Sequence, residues 1–561
     1  MGMFRVGVIG IAAGLLWALP GAAAVQGDLR PVLRATLAAY APAAEAAAAS
    51  IAERQRQSLL GFYDARGFAP IWLADNAPAI RVGRLIELLK SADRHGLSAL
   101  DYNVAEIEQL LHAADAQTLA RLEFALSRAA LRYAADLLGA RVAAIELLAD
   151  VRIVPRPLDA ERILRELARS DDPAGPLEAL APADPAYAQL RDWLAQYRAI
   201  KARGGWRNIP SGATLDPGAS DPRVPALRRR LAITDGAPTE PADADAGEIF
   251  DIELVAALMR FQARHGLAVD GRLGRRTLAA LNRSVDARIV QIVANLDRLR
   301  ARPAAEANFI EVNVPGFSLR AVEAGETRLE MPVVVGREAR ATPIFSSRVT
   351  EVIFNPSWTV PVKLVREDLL PRLRANPQAL VDLGFRFYRG SGDERVEVDP
   401  RKVDWRKVSP RAVPYWVRQD PGPKNALGQV RLTLPNIYDV FLHDTPDRHY
   451  FARAERALSS GCVRLERPID LAEWVLRNTP GWTREAIEAA DADAVTRNVQ
   501  VRRPIPLHFV YFTAFVQDGE LHLREDIYGV DARFVAGLER RPIADLRLPR
   551  EGAAPPATLA P

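Results

Sequence analysis

The chain has 561 residues, of which 49% are hydrophobic and 26% are charged, and these proportions are typical of soluble globular proteins. Its 74 basic and 70 acidic residues are mixed along the sequence and give a net charge of only +4, which does not indicate nucleic-acid binding. A chain of this length is too long for a single hydrophobic core, so we expect about three or four domains.

Residues 1–24 have the pattern of a secretory signal peptide. Arg5 supplies a positive charge, residues 6–19 are apolar, and Ala22-Ala23-Ala24 offers a cleavage site of small residues. The apolar run of about 14 residues is shorter than the roughly 20 that span a bilayer. We therefore expect an exported protein with a cleaved signal, and a retained N-terminal membrane anchor is the alternative.

Residues 25–203 predict a helical scaffold domain. An aromatic cluster over 62–72 precedes a mainly helical pattern that begins at residue 81. One helix face is marked by apolar residues at helical spacing, namely Leu122, Leu126, Ala129, Ala130 and Tyr133. The region contains no cluster of polar groups to which we assign chemistry.

Residues 204–223 are rich in Gly, Pro, Ser and Asp and predict a linker. The helical unit that follows, 224–283, resembles the small three-helix peptidoglycan-binding domain. The positions that carry the resemblance are Phe261-Gln262, Gly266-Leu267, Asp270-Gly271, Gly274, Thr277 and Leu281-Asn282. Such a unit either binds cell-wall polymer or is purely architectural, and the sequence leaves both interpretations open.

A β-rich domain is predicted over 308–531. Short β-branched or aromatic runs suggest antiparallel strands at 309–314, 317–322, 330–335 and 349–354, and later strands at 430–434, 438–442, 507–515 and 520–523. A helix is expected over 470–477. The final residues, 552–561, form a Pro/Ala-rich tail that we expect to be disordered.

The strand pattern is interrupted over about 363–416. Val365, Leu369 and Leu373 are spaced four residues apart and suggest a helix, although Pro371 weakens that interpretation. An insertion between strands of one domain can fold over a site as a lid, and a plain excursion of the chain is the alternative.

The chain has a single cysteine, Cys462, although we expect export to a compartment where cysteines usually pair. A nucleophilic thiolate is the leading reason for such a residue, and it needs a base or a positive neighbour. His443 is the preferred base because it ends the predicted strand 438–442, and the loop residue His449 competes with it. The alternative is that Cys462 is an inert, buried, small hydrophobic residue.

The residues around Cys462 suit acyl transfer. Gly461 allows a tight turn whose successive N–H groups can point at one oxyanion. Arg464 lies two residues beyond the thiol, on the same face of an extended segment, where it can grip a substrate carboxylate.

His443-Asp444-Thr445-Pro446 followed by Ser459-Ser460-Gly461-Cys462-Val463-Arg464 resembles the signature of the L,D-transpeptidases of bacterial cell walls, which have a YkuD-type catalytic domain. The commoner signature has histidine where this chain has Ser460. Serine is found there in the large periplasmic branch, which has a scaffold domain, a peptidoglycan-binding domain and an inserted lid. Further segments that agree are Val335-Gly336-Arg337, Thr342-Pro343, residues 355–361, residues 422–428, Tyr511-Phe512-Thr513-Ala514 and residues 526–531.

The resemblance implies a multidomain α+β fold: a helical N-terminal scaffold, a three-helix peptidoglycan-binding unit, and a β-rich catalytic domain with an inserted, partly helical lid. Cys462 is then the nucleophile and His443 is the general base. The backbone around Ser460 and Gly461 supplies the oxyanion donors, and Arg464 with Ser459 binds substrate. Asp444 points away from its strand neighbour His443, so we expect a backbone carbonyl to orient the imidazole.

The resemblance also implies the reaction. Cys462 attacks a tetrapeptide stem of peptidoglycan, D-alanine leaves, and an amine of a second stem accepts the acyl group to give a 3→3 cross-link in the periplasm. No metal or organic cofactor is expected, and carbapenems are expected to acylate Cys462. Two alternatives remain open: an L,D-carboxypeptidase of the same chemistry, and a non-catalytic scaffold that binds peptidoglycan.

Overall fold

The computed structural model describes residues 28–39, 57–73, 78–112, 115–143, 154–239, 247–302, 306–390, 394–493 and 495–539. The predicted signal peptide, 1–24, and the predicted tail, 552–561, lie outside these ranges. Within them, no helix is both long and apolar enough to cross a membrane. The N-terminal region is helical and the C-terminal region is rich in strands, so the predicted multidomain α+β fold is confirmed.

Helices build the region before residue 203. They are Leu29–Ala39, 57–64, Pro78–Lys90, Val104–Leu110, Ala116–Leu137, Ala140–Ala143, Ala160–Arg169, Ala174–Glu178 and Pro185–Ala202. The central helix, Ala116–Leu137, begins at Asp115, whose side chain accepts a hydrogen bond from the Thr118 N–H and so caps the helix. The face predicted from Leu122 to Tyr133 is buried in the core of this region, which confirms the helical spacing.

A buried carboxylate fixes the aromatic cluster of the scaffold. Glu123 accepts hydrogen bonds from the Tyr63 hydroxyl at 2.8 Å and from the backbone N–H groups of Ile71, Trp72 and Leu73 at 2.5, 3.0 and 3.2 Å. Burial raises the pKa of Glu123, and these donors oppose the shift because they favour the charged form. The side chain therefore satisfies three backbone donors that would otherwise be buried without a partner.

Three short helices form the unit that follows: Val224–Thr234, Ile252–Arg264 and Arg275–Leu281. The fully buried side chain of Gln262 holds the turn between the second and third helices. Its amide donates to Asp270 and to the carbonyl of Arg272, and its oxygen accepts from the Gly271 N–H. Gly271 has a φ of +66°, so the predicted glycine turn is present.

The helix Val285–Arg300 joins the scaffold to the β-rich domain. At one end, the fully buried guanidinium of Arg300 donates to the carbonyl of His95 at 2.7 Å. Near its middle, Gln291 donates to the Thr513 carbonyl and Asn295 accepts from the Thr513 N–H. Hydrogen bonds of one helix therefore connect the N-terminal helical core with the β-rich region.

Fifteen strands are described in the C-terminal region. They are β1 Asn308–Asn313, β2 Ser318–Glu323, β3 Glu326–Gly336, β4 Ser346–Phe354, β5 Trp358–Thr359, β6 Phe385–Arg389, β7 Val396–Val398, β8 Tyr415–Gln419, β9 Val430–Thr433, β10 Leu442–His443, β11 Ala457–Ser459, β12 Val463–Leu465, β13 Arg497–Val510, β14 Ala514–Gln517 and β15 Glu520–Leu523. The helices Pro468–Leu476, Arg484–Ala492 and Val530–Glu539 accompany them. Nine strands form one sheet in the order β11-β3-β12-β10-β9-β4-β13-β1-β2. The sheet is mixed, since β10 pairs with β12, β1 with β13, and β11 with β3 in parallel.

The prediction of one strand over 438–442 is wrong, because β10 contains only Leu442 and His443. The Asn436 side chain donates to the Val440 carbonyl and accepts from the N–H groups of Tyr438 and Val440. These bonds fold the segment into a turn in which Asp439 has a φ of +54°. His443 therefore lies within a short strand that begins only one residue before it.

The prediction of one strand over 507–515 is also wrong. β13 ends at Val510, and the late hairpin is formed by β14 with β15. The Thr513 N–H bonds to Asn295 of the connecting helix, and its carbonyl accepts from Gln291 and from the Arg524 N–H just after β15. A long-range contact thus ends the strand where the local pattern would continue it.

The segment that follows β5 and runs into the start of β8 folds as a subdomain with its own core, and we call residues 362–416 the insert. A sheet in the order β5-β8-β6-β7 packs against helical segments at Val362–Leu364, Val365–Leu369, Leu370–Ala375 and Pro377–Val381. Val365–Leu369 is a wide π-type turn, and it immediately precedes the turn that contains Pro371, a residue that has no N–H to donate. The helix predicted from the four-residue spacing is therefore present despite the proline.

We predict that Glu123→Ala lowers the free energy of unfolding by about 3 kcal/mol, because it leaves three buried N–H groups without an acceptor. Calorimetric unfolding of the full chain measures the effect. Glu161→Ala is the matched control, since that side chain is 63% exposed and its loss should change stability by less than about 0.5 kcal/mol. Equal shifts for the two variants would contradict the role assigned to Glu123.

Candidate active site

Three neighbouring strands place a row of side chains on one face of the sheet. His443 of β10 is paired with Arg464 of β12 on one side and with Arg431 of β9 on the other. Paired residues in adjacent strands share a face. The Arg431 guanidinium lies 4.1 Å from the ring of Phe441, which in turn lies 5.6 Å from the His443 ring, so the contacts agree with the register.

Cys462 belongs to the same face. It precedes β12 by one residue and Arg464 by two, and the Val463 N–H bonds to the Phe441 carbonyl at 3.1 Å. Side chains two residues apart in an extended segment point the same way. The structure therefore brings Cys462, His443 and Arg464 to one face, although no hydrogen bond between the thiol and the imidazole is described.

A tight turn carries the thiol. Gly461 has a φ of +121°, a conformation that side chains rarely adopt. The buried Ser459 hydroxyl donates to the Cys462 carbonyl at 2.6 Å and accepts from the Gly461 N–H at 3.1 Å. These bonds hold the turn from within, and the part predicted for Ser459 in substrate binding stays a prediction.

The loop after β3 holds the same turn from outside. The Thr342 hydroxyl donates to the Gly461 carbonyl at 2.7 Å and accepts from the Gly336 N–H at 2.8 Å. The Tyr528 hydroxyl accepts from the Thr342 N–H and donates to the Gly336 carbonyl. Because Thr342 binds the Gly461 carbonyl, the peptide that follows Gly461 has a fixed orientation.

A backbone carbonyl holds the imidazole of His443. Its Nδ1 lies 2.5 Å from the carbonyl of Asp444, and a carbonyl only accepts, so we assign the proton to Nδ1 and leave Nε2 as the basic nitrogen. The expectation that a backbone carbonyl orients this ring is confirmed. Burial, followed by the charge of Arg464, lowers the pKa of His443 to about 3, so the ring is neutral near pH 7.

The thiol is also neutral near pH 7. Loss of solvation raises the pKa of Cys462 to about 11, against the opposing effects of the Phe441 backbone and the charges of Arg431 and Arg464. The thiol lies 3.8 Å from the Asp439 carbonyl, and the Phe441 backbone also bonds to it. A thiolate must therefore be formed by proton transfer at the moment of attack, since the resting site does not store one.

Arg464 is held beside the thiol by a turn that follows His443. Its Nη1 lies 2.9 Å from Asp447 and 3.3 Å from the Thr445 hydroxyl, and its side chain is 20% exposed. Its Nε is buried and has no partner in the described part of the chain, so a donor remains for a ligand. The predicted grip on a substrate carboxylate is compatible with this arrangement and stays a prediction.

Sequence reasoning missed Arg431, whose Nε is likewise buried without a described partner. Alternation along β9 contained a signal, because the neighbours Val430 and Leu432 face the core while Arg431 faces the opposite side. Its pairing with His443 is a long-range contact that alternation alone does not reveal.

His449, the competing candidate for the base, makes no contact with the thiol in the described part of the chain. His449 is exposed in the turn Arg448–Ala452 and packs on the Tyr450 ring at 4.3 Å. In the described ranges, no group of three or more His, Cys, Asp or Glu side chains is arranged to hold a metal.

Family models match three parts of the chain. Residues 57–194 match the scaffold domain, residues 220–281 match the model described as "Putative peptidoglycan binding domain", and residues 307–483 match the L,D-transpeptidase catalytic domain. The chain is 36% identical over 270 residues to a Haemophilus influenzae protein named "Putative L,D-transpeptidase". The match covers 47% of this chain and 54% of that protein, so the chain spans about half the length of the curated relative that it matches.

Two similar solved structures are L,D-transpeptidases of Stackebrandtia nassauensis and Xylanimonas cellulosilytica. Each is 15% identical and each match covers 54% of this chain, with 96% and 99% of the solved chains covered. Their TM-scores are low, at 0.21 and 0.18. From the family models, the chain contains an L,D-transpeptidase catalytic domain together with a peptidoglycan-binding domain and a scaffold domain, and the predicted resemblance is confirmed.

We predict that the rate at which iodoacetamide alkylates Cys462 rises about tenfold per pH unit between pH 7 and 10, because the thiol pKa lies near 11. Intact-mass spectrometry measures the rate without ambiguity, since the chain has one cysteine. Arg431→Gln should slow the reaction at each pH, because it removes a charge that favours the thiolate. A rate that reaches a plateau below pH 8 would contradict a neutral resting thiol.

Proposed function

We propose that this chain, which contains an L,D-transpeptidase catalytic domain, is a cell-wall L,D-transpeptidase that forms 3→3 cross-links through an acyl-enzyme on Cys462. The observation that carries the proposal is the pairing of β10 with β12, which sets His443 and Cys462 on one face within residues that match this domain. The donor would be a tetrapeptide stem, and the acceptor would be a second stem.

In the first step, His443 Nε2 takes the proton of the Cys462 thiol as sulfur attacks the carbonyl between the third residue of the donor stem and its terminal D-alanine. The carbonyl π electrons move to oxygen and give a tetrahedral oxyanion. When this intermediate collapses, the C–N bond breaks and the His443 imidazolium returns the proton to the amine of D-alanine. The product is a thioester on Cys462 and free D-alanine.

In the second step, the side-chain amine of a diamino acid on another stem attacks the thioester. His443 accepts a proton from the attacking nitrogen, the C–S bond breaks, and the proton returns to the thiolate. A new amide bond then links the two stems, and Cys462 is regenerated. The atoms and electrons of the two steps balance without an oxidant, a reductant or a metal.

The electrostatics favour an anion on this face. The charges of Arg431 and Arg464 lower the pKa of Cys462 and also lower that of His443, so both stabilise negative charge at the site. Backbone N–H groups around Ser460 and Gly461 would bind the oxyanion. The fixed orientation of the peptide after Gly461 supports this role. Arg464, with Ser459, would hold a substrate carboxylate.

The neighbouring domains support a cell-wall substrate. The unit that matches a peptidoglycan-binding domain is fastened to the catalytic region, since Arg276 bonds to Glu455 and to Glu525 at 2.8 Å. A protein that acts on peptidoglycan works outside the cytoplasm, so we propose a periplasmic location. The predicted signal peptide, 1–24, is part of this proposal.

A second candidate function is a non-catalytic scaffold that binds peptidoglycan. The specific observation in its favour is the raised pKa of Cys462, because an inert thiol would also be neutral. Against it stands the His443 imidazole on the same face, which the Asp444 carbonyl orients through Nδ1. Products formed from purified stems separate the two candidates.

We predict that Cys462→Ala abolishes 3→3 dimers while the protein still unfolds cooperatively, and that His443→Ala lowers kcat at least about 100-fold, since general-base catalysis contributes 10²–10⁴. The measurement is chromatography and mass spectrometry of products from purified tetrapeptide stems. His449→Ala is the matched histidine control and should retain wild-type turnover.

Each remaining outcome decides between functions. Dimers formed by Cys462→Ala would overturn the nucleophile assignment. Shortened tripeptide monomers in place of dimers would identify an L,D-carboxypeptidase, and unchanged stems with the wild-type protein would favour the scaffold.

We also predict that a carbapenem acylates Cys462, as the resemblance to the family implies. The thiol sulfur attacks the β-lactam carbonyl, the ring C–N bond opens, and the nitrogen receives the thiol proton, so the protein gains the whole mass of the drug. Intact-mass spectrometry with peptide mapping checks this. A wild-type protein without an adduct, or an adduct that persists in Cys462→Ala, would count against the thiol chemistry.

A further inference from the structure

Arg340 bonds to both the insert and the turn that carries Cys462. It lies in the short helical turn Glu338–Arg340 that follows β3, and its side chain is only 8% exposed. Its Nη1 donates to the Ser460 hydroxyl at 2.8 Å and to Asp368 at 2.6 Å. Its Nη2 donates to Asp368 at 2.9 Å and to Glu367 at 2.5 Å.

The other hydroxyl groups around the turn are already committed. Ser459 closes the turn from within, and Thr342 binds the carbonyl of Gly461. Ser460 is exposed, and its described side-chain bond is the one from Arg340. The direction of the residue two positions before the thiol therefore depends on this guanidinium.

The two acids are part of the body of the insert. Glu367 and Asp368 lie in the wide turn Val365–Leu369, whose end residues are buried in the core of the insert. That core is separate from the core of the large sheet. Movement of the insert would therefore carry both acids away from Arg340.

We propose that Arg340 is a positioning residue for acyl transfer. It makes the orientation of the Ser460-Gly461-Cys462 turn depend on whether the insert is in place. The inference deepens the proposed function and rests on it. With the insert seated, Arg340 holds Ser460, and the N–H groups of the turn keep one orientation toward the oxyanion. With the insert displaced, the guanidinium loses its carboxylate partners and turns toward solvent. The turn then loses the hydrogen bond from Arg340 to Ser460.

The bonds of Arg340 account for the proposed coupling. A largely buried guanidinium is stable only while carboxylates or other acceptors satisfy it, and bidentate carboxylate pairs give the strongest such bonds. Neutralising Glu367 and Asp368 removes the reason for Arg340 to stay buried, so its bond to Ser460 is lost as well. Removing the Ser460 hydroxyl leaves both carboxylate bonds in place.

A double-mutant cycle tests the coupling. The variants are Ser460→Ala, the pair Glu367→Gln with Asp368→Asn, and all three changes together, and the readouts are kcat and KM for dimer formation. We expect each alteration to lower kcat about tenfold with KM within about twofold, and the combination to be no slower than the slower of the two. Effects on kcat that multiply would overturn the proposal, because independent contributions are additive in free energy.

The matched control carries the same change of charge elsewhere on the insert. Glu397→Gln with Asp404→Asn neutralises two exposed acids that pair with Arg386 and Lys407, and it should keep wild-type kcat. A tenfold loss in this control would show that kcat follows the net charge of the insert, which would contradict the part assigned to Arg340.

Alkylation of Cys462 by iodoacetamide repeats the same cycle without any cell-wall substrate. If wild type forms no dimers but the alkylation rates are non-additive, the proposed function fails and the positioning inference stands. If wild type forms dimers and both cycles are additive, the positioning inference fails and the function stands. Calorimetry identifies any variant that does not fold. Arg340→Lys then takes the place of that variant, because it keeps the charge but loses the bidentate geometry. We expect the same loss of kcat from it.

Discussion

The parallel pairing of β10 with β12 is the constraint on which the site depends. It sets His443 beside Arg464, and it thereby places Cys462, two residues earlier, on the same face. The antiparallel partner β9 adds Arg431 to the row, and β3 closes the other side of β12. A slip of one residue between β10 and β12 would turn His443 away from the thiol, so buried neighbours such as Leu442, Val463 and Leu465 fix the chemistry by fixing the register.

Desolvation decides the resting state of the pair. Burial keeps the thiol protonated and the imidazole unprotonated, while two arginines favour an anion on the same face. In the proposed reaction, negative charge then forms while a substrate carbonyl is being attacked. Two hydroxyl groups hold the turn: Ser459 from within and Thr342 from the neighbouring loop. The same loop contains Arg340, which is why the insert and the turn share one support.

Local patterns predicted much of the fold. Periodicity located the buried face of Ala116–Leu137, and β-branched runs located the early strands. Features that depend on distant residues were not predictable. The bonds of Asn436 shorten the strand before His443. The Thr513 N–H bonds to Asn295 of a helix, and Glu123 accepts from backbone N–H groups some 50 residues away. At the site, Cys462, His443 and a carbonyl that orients the ring were expected from the sequence. Arg431 and Arg340 were not, because they reach the site through long-range pairings.

The central claim is that Cys462 becomes acylated by the donor stem with loss of D-alanine. Rapid mixing of the protein with a purified tetrapeptide stem, acid quenching within one turnover, and intact-mass spectrometry with peptide mapping test it most directly. The account predicts a gain equal to the mass of the stem less alanine, located on Cys462 and formed together with one equivalent of free D-alanine. Release of D-alanine without a covalent adduct on Cys462, or an adduct on another residue, would contradict it.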